Sequence, residues 1–319
     1  MNGKGRTSED LYTKTPLGIQ QVVIWGHKLY SHTHSYIHYA FHKAFLHLGY
    51  KTYWVRKLAE LDGIDLSGTL FLTEGQVDDE LPVRYDCWYV LHNCHHPKYG
   101  PLIDAHRVLL LQKYTYECKN YVLEQLEPYI FFSDEHKTLY MPWATDLLPH
   151  EIHEMKGKLI PFQQRKKRAV WVGTVGDQLY GNVHQLAPFV SACKQYQCRW
   201  FRREVIAAEE NRNLVCEALL APAIVGAWQR ENGYIPCRIF KNISYGAIGA
   251  TNSEAAYDLF EGKILYNSDT AQLCTDMVTF AQEHDISDLH ALMDIVRDRH
   301  TYINRINHIL TCLIRIAYA

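Results

Sequence analysis

Short apolar runs ending in glycine or polar loops alternate with stretches of helical periodicity. QVVIWG, from Gln21 to Gly26, is the first such run and suits a buried strand. SYIHYAFHKAFLHLGY follows, with Ile37, Phe41, Ala44, Phe45 and Leu48 at helical spacing and Gly49 as a C-cap. KTYWVR, from Lys51 to Arg56, reads as the next strand. Strand, loop, helix and strand in that order make a βαβ unit. TLFL, CWYVLH, RVLLLQ and YIFF supply further strands, and a doubly wound parallel sheet is their natural assembly.

The rhythm breaks near YMPWATDLLPHE, where Pro142, Pro149 and Pro161 punctuate a stretch ending in QQRKKR. A second series starts at RAVWVGTVGD and continues through VHQLAPFVSACKQY, QCRWFR, APAIVG and GYIPCRIFKNISYGAIGATNS. A chain of 319 residues holds two domains comfortably. The expected fold is therefore α/β, with two facing Rossmann-like domains and a long C-terminal helical segment. The first domain spans residues 1–145, a linker 146–168, the second domain 169–295, and the closing helix 296–319. The basic run Arg165 to Arg168 reads as a solvated linker face.

Composition removes several classes. Hydrophobic residues at 47% and charged residues at 21% are ordinary for a folded soluble protein. A net charge of −2 argues against a nucleic-acid-binding surface, so no nucleic-acid partner is expected. Nine scattered cysteines without a CxxC pair give no zinc site and suggest free thiols, hence a cytoplasmic setting. The polar start MNGKGRTSEDLYTK lacks the apolar core of a signal peptide, and no apolar run is long enough to span a membrane.

Four constellations carry chemistry. In GYIPCRIFKNISYGAIGATNS, Pro236 suits the first turn of a helix running to about Tyr245, closed by Gly246. Arg238, Lys241 and Tyr245 share one face of it. A helix N-terminus with an Arg and a Lys suits a diphosphate, with Tyr234 and Asn242 adjoining. Asn252 and Ser253 follow at the carboxyl end of a strand, where open α/β sheets place ligands. In WVGTVGD, Gly173 lets the backbone approach a ligand, with Thr174 beside it as a donor-side candidate, and Gly176 relaxes the turn. That stretch is neither GxGxxG nor a P-loop, so an ATPase or a dinucleotide enzyme is not indicated. GHKLYSHTHS places Gly26, His32, His34 and Ser35 at a strand end, where a histidine can serve as general base. Ser35 can equally cap the next helix. HNCHHPKYG brings His92 and Asn93 to the same side. A metal reading of His32 with His34 lacks a matching carboxylate–His pair, and one of Cys94 with His95 and His96 is poor because adjacent residues rarely reach one tetrahedral site together.

The C-terminal half resembles the CgeB-like branch of GT-B glycosyltransferases, with their group 1 type C-terminal domain. IPCRIFKNISYGAIGATNS is similar to that branch's Pro-x-Arg-x-Phe-Glu segment. LFEGKILYNSDTAQL is similar to its Phe-Glu-x-Gly-Lys stretch, and RHTYINRINHIL to its closing His-Thr-Tyr-x-x-Arg helix. The match covers roughly residues 170–312. It implies a nucleotide-sugar donor in the second domain and a hydroxyl acceptor, a glycan or another, in the first. It implies no cofactor and no obligatory metal, and a final helix that crosses back to the first domain, with Tyr302 and Arg305 pinning the two. Where the family has Glu, this chain has Lys241; Glu254 and Glu261 are the replacement carboxylates on offer. His34 is the favoured base, with His32 and His92 as alternatives. Two rival readings are an inactive GT-B module that binds a sugar nucleotide, and a GT-B sugar-nucleotide epimerase.

Overall fold

The structure, a computed structural model, describes residues 17–29, 34–74, 80–94, 97–114 and 118–319. The N-terminal half carries β1 (Gln21–Trp25), α1 (Ser35–His47), β2 (Lys51–Val55), β3 (Thr69–Glu74) and β4 (Trp88–His92). α2 (Gly100–Asp104), β5 (Val108–Gln112), β6 (Glu124–Glu127), β7 (Ile130–Ser133) and β8 (Thr138–Tyr140) follow. They build one eight-stranded sheet in the order β2-β1-β3-β4-β5-β8-β7-β6. β1 is apolar at Val22 through Trp25 because both faces are covered. Val22 and Ile24 enter the core beneath α1, while Val23 and Trp25 enter the opposite core with Leu102 of α2.

The sheet is not wholly parallel. YIFF becomes β7, which runs antiparallel to both β6 and β8. Only Pro128 and Tyr129 separate β6 from β7, with Tyr129 at φ 60°, and so short a link cannot hold a crossover.

In the C-terminal half, α3 (Pro149–Lys156) precedes β9 (Lys166–Val172), α4 (Val183–Gln195), β10 (Arg199–Arg203), α5 (Ala208–Glu217) and β11 (Ala218–Leu220). Next come α6 (Ala227–Glu231), α7 (Cys237–Ser244), β12 (Ala250–Thr251), α8 (Glu254–Leu259) and β13 (Leu265–Tyr266). α9 (Thr270–Glu283), α10 (Asp288–Arg299) and α11 (Tyr302–Tyr318) close the chain. β10-β9-β11 is a parallel sheet, and a bridge from Ala223 to Thr251 leads on to the parallel pair β12-β13. APAIVG is therefore not a strand: pairing ends with β11 and resumes only at Ala223, after a proline with no N–H to give. Both halves wind second, first, third, fourth, fifth, so each has a topological switch point between its first and third strands.

α11 lays Ile306, Ile309, Leu313 and Ile316 into the core shared with Phe41 and Phe45 of α1. Arg305 is fully buried at its start. Its guanidinium donates to the carbonyls of Pro142 at 2.8 Å, Trp143 at 3.2 Å and Arg299 at 3.1 Å. Burial lowers its pKa to about 10. Arg165 corrects the solvated reading of the basic run. It is 5% exposed, donates from Nε to Ile160 O at 2.9 Å and lies 4.8 Å from the Phe162 ring centroid. All nine cysteines are free thiols. Among the described residues, no helix is long and apolar enough to cross a membrane.

Candidate functional site

The loop after β9, the stretch after β11 and the start of α1 open on one cleft of about 750 Å³. Its C-terminal wall is the loop after β9, the stretch around Ile224 and Val225, and the N-terminal end of α7. A Cβ on Gly173 would meet Arg238 Nη2 at 2.5 Å, and its φ of 130° also favours glycine. Arg238 stacks on Trp171 at 3.6 Å and donates to Val172 O at 2.9 Å. Partial burial beside the cleft pushes its pKa down. The loop is packed backbone to backbone at two further glycines. A Cβ on Gly226 would lie 1.9 Å from Gly181 O, and one on Gly181 would lie 2.2 Å from Gly176 O.

Pro236 occupies the N-cap of α7 with φ −72° and ψ 140°, and no side chain caps the helix. Its first N–H groups have no partner within the helix, and Pro236, Cys237 and Arg238 line the cleft. One turn on, Lys241 lines it too and makes no ion pair among the described residues. Its Nζ lies 5.2 Å from the Tyr36 ring centroid. Gly246 ends the helix at φ 86°.

The facing wall comes from the N-terminal half. His34 is the N-cap of α1, and Tyr36 and Ile37 stand in the first turn. Lys113 follows β5, 8% exposed, with its Nζ 5.0 Å from the Trp143 ring centroid. Asp146 adds a carboxylate that accepts the Tyr245 hydroxyl. Burial, and then that carboxylate, raise the Tyr245 pKa well above the usual phenol value. The Tyr36 hydroxyl reaches across to the backbone N–H of Ile206 at 3.2 Å and donates to the carbonyl of the same residue. Tyr302 lines the cleft and meets Phe41 edge-on at 4.6 Å. Among the described residues, no three His, Cys, Asp or Glu side chains converge as a metal site.

The cleft thus gathers His34, Gly173, Thr174, Tyr234, Pro236, Arg238, Lys241 and Asn242. Other candidates stand elsewhere. Asn252 is fully buried and clamps Val225, accepting from its N–H at 2.8 Å and donating to its carbonyl at 3.0 Å. Ser253 caps α8 and donates to Tyr234 O at 3.4 Å. Both are buried polar groups, and neighbouring backbone satisfies them. His92 sits 2% exposed behind Trp143, edge-on at 5.2 Å, with Nδ1 at 3.1 Å from Leu111 O. Asn93 is exposed at φ 53° and lies outside the cleft. Gly26 is glycine because a Cβ there would lie 2.2 Å from the His38 ring. Ser35 is the first residue of α1 rather than its cap, and is fully buried. Glu254 is exposed on α8, and Glu261 pairs with Lys263 and Arg299, so neither reaches the cleft. His32 lies outside the described residues. Sequence reasoning missed Tyr36, Lys113, Trp143, Asp146 and Asn182, all lining residues. Lys113 alone left a signal, a charge directly after an apolar strand.

No protein-family model matches the sequence, and no curated protein matches it either. Solved structures do. One is an alpha-glucosyltransferase in complex with UDP and a 13-mer DNA containing a HMU base. It superposes with a TM-score of 0.53 over 92% of this chain and 100% of that chain, at 7% identity. Another is an alpha-glucosyltransferase in complex with UDP-glucose and DNA containing an abasic site. Its TM-score is 0.51 over 89% of this chain and 93% of that chain, at 8% identity. The fold is GT-B. These neighbours overturn the exclusion of nucleic acid as a partner. That exclusion rested on net charge, which averages over the whole surface, whereas a backbone is held by local clusters of Lys and Arg.

Proposed function

We propose that this chain is a glycosyltransferase that moves a sugar from a nucleotide-sugar donor to a hydroxyl acceptor in the cleft. The observation that carries this reading is the pairing of the uncapped α7 N-terminus with Lys241 against the Gly173–Thr174 loop, inside a cleft shared by both halves. The α7 N–H groups and Lys241 hold the diphosphate, whose charge grows as the leaving group departs. The acceptor oxygen bonds to the anomeric carbon as the carbon–oxygen bond to the phosphate breaks. The electron pair leaves with the nucleoside diphosphate, and His34 takes the hydroxyl proton. Asp146, oriented by Tyr245, supplies negative charge on the same wall. The two neighbours, in complex with UDP and with UDP-glucose, support a nucleotide-sugar donor. In this reading the protein cations carry the leaving-group charge without a metal, so a chelator leaves the rate unchanged.

Thermal melting with UDP, GDP, ADP, CMP and their sugars tests the donor site. A ligand at 100 times its Kd adds about 2.7 kcal/mol of stability. The expected result is a clear rise in Tm with one nucleotide family, reduced in Lys241→Gln. The absence of a shift with every nucleotide would sink the reading.

A further inference from the structure

β9 opens with Lys166, Lys167 and Arg168, and β10 carries Arg199, Arg202 and Arg203 beside it. Parallel register sets Arg199 next to Arg168, Phe201 next to Val170, and Arg203 next to Val172. Side chains two apart on a strand, and those in register across it, share a face. Arg168, Arg199, Phe201 and Arg203 therefore stand together. Two guanidinium groups approach the Phe201 ring, that of Arg203 at 4.3 Å and that of Arg168 at 5.4 Å from its centroid. Contact with a ring face restrains a guanidinium while leaving N–H groups that can still donate to phosphate.

β10 is the outer strand of its sheet. Lys166 is paired with Glu217 and Arg202 with Glu204. Arg168, Arg199 and Arg203 make no ion pair among the described residues; Arg203 donates from Nη1 to Arg202 O at 3.1 Å. Arg199, Arg203 and Lys167 are exposed, and Arg168 and Phe201 half-buried. In a chain of net charge −2 this is a local concentration of positive charge. The row ends at the cleft: Arg203 O accepts the Gly173 N–H at 2.8 Å, and Glu204 and Val205 line the opening.

We propose that this arginine row docks the phosphodiester backbone of a nucleic acid and leads it to the cleft. The proposal rests on the transferase reading, since it names the class of molecule that carries the acceptor hydroxyl. Arg199 and Arg203 are four residues apart, about 13 Å at strand rise, which matches about four base-pair steps along a duplex axis. Guanidinium groups bind phosphate oxygens through two parallel hydrogen bonds.

The test is fluorescence anisotropy of a fluorescein-labelled 20-base-pair DNA duplex against the full chain, titrated at several salt concentrations. The expected result is binding that weakens with salt. In the triple variant Arg168→Gln, Arg199→Gln, Arg203→Gln, affinity falls about tenfold or more near 0.1 M salt. The slope of log K against log salt becomes shallower by about 3. A control triple, Lys51→Gln, Arg56→Gln, Lys57→Gln, keeps the wild-type slope. Phe201→Leu keeps the slope as well and weakens binding less than the arginine triple. Circular dichroism checks that each variant is folded. Wild-type protein that fails to bind the duplex, or an arginine triple that binds like wild type, would overturn the proposal. Nucleotide-induced melting shifts on the same proteins keep the two readings apart. A shift without duplex binding removes the row and leaves the donor site; duplex binding through the row without any shift does the reverse.

Discussion

On the C-terminal wall of the cleft, Gly173, Gly181 and Gly226 leave no room for a Cβ, and Arg238 is stacked and bonded in place. What this wall offers a ligand is largely backbone: the first N–H groups of α7 and the loop after β9. The N-terminal wall offers side chains instead, with His34, Lys113 and the Trp143–Asp146 stretch drawn from three segments. A backbone cradle suits a part that every substrate shares, such as a diphosphate, because amide positions change little. A wall of side chains can be respecified by substitution and suits the reacting hydroxyl and its proton.

If the walls divide the work this way, His34→Ala has the largest effect. The expected loss in kcat is about 10²- to 10⁴-fold, with nucleotide affinity unchanged in the same protein. Steady-state rates beside calorimetric titration measure both, and a parallel fall in affinity would blur the division. Arg305→Leu comes next and acts on both halves, because Arg305 ties α11 to the Pro142–Trp143 stretch and to the Arg299 carbonyl of α10. Leaving buried carbonyls without a donor is expected to cost about 3 kcal/mol or more in urea denaturation. Arg305→Lys recovers little, since one ammonium cannot match a planar fork.

Gly173→Ala sharpens the backbone side of the comparison. The strained φ and the clash with Arg238 predict a loss of about 1–3 kcal/mol and weaker donor binding. Lys241→Gln removes one charge-assisted contact that strengthens as the leaving group departs, so nucleotide-sugar Kd should rise about tenfold and kcat should fall with it.

The smallest effect is on acid sensitivity. Burial, then the charges of Arg305 and Arg299, hold the His300 pKa well below the ordinary 6.5. A buried neutral histidine contributes stability above that ordinary value and loses it as pH falls below, because the unfolded chain binds the proton first. Wild-type Tm should therefore drop below about pH 6.5, and His300→Gln should drop less steeply. Equal slopes in the two proteins would show that other groups, among them His42 and His308, carry the acid sensitivity.

The division between walls also explains what was legible in the sequence. Gly173 and the α7 segment leave local marks: a glycine after an apolar strand, and a proline, a basic face and a closing glycine at helix spacing. Asp146 and Trp143 leave none, since each becomes part of the cleft only through its place in the assembled chain. Asn252 and Ser253 misled because a polar residue at a strand end serves a ligand or a neighbouring backbone equally well, and here Val225 and Tyr234 take them. His92 misled in the same way, since Trp143 covers a strand end that nominally faces the cleft. The alternation of strands and helices in two series was readable from rhythm, but the antiparallel edge at β6 and β7 and the place of the third strand of the second sheet, Ala218–Leu220 rather than APAIVG, were not.

A crystal structure of the protein with the nucleotide sugar that most raises its Tm is the most direct measurement. The account predicts the diphosphate at the N–H groups opening α7, with Lys241 Nζ within hydrogen-bond distance and the sugar facing His34. A nucleotide bound away from α7, or one in the cleft whose phosphates touch neither the helix N-terminus nor Lys241, would contradict it.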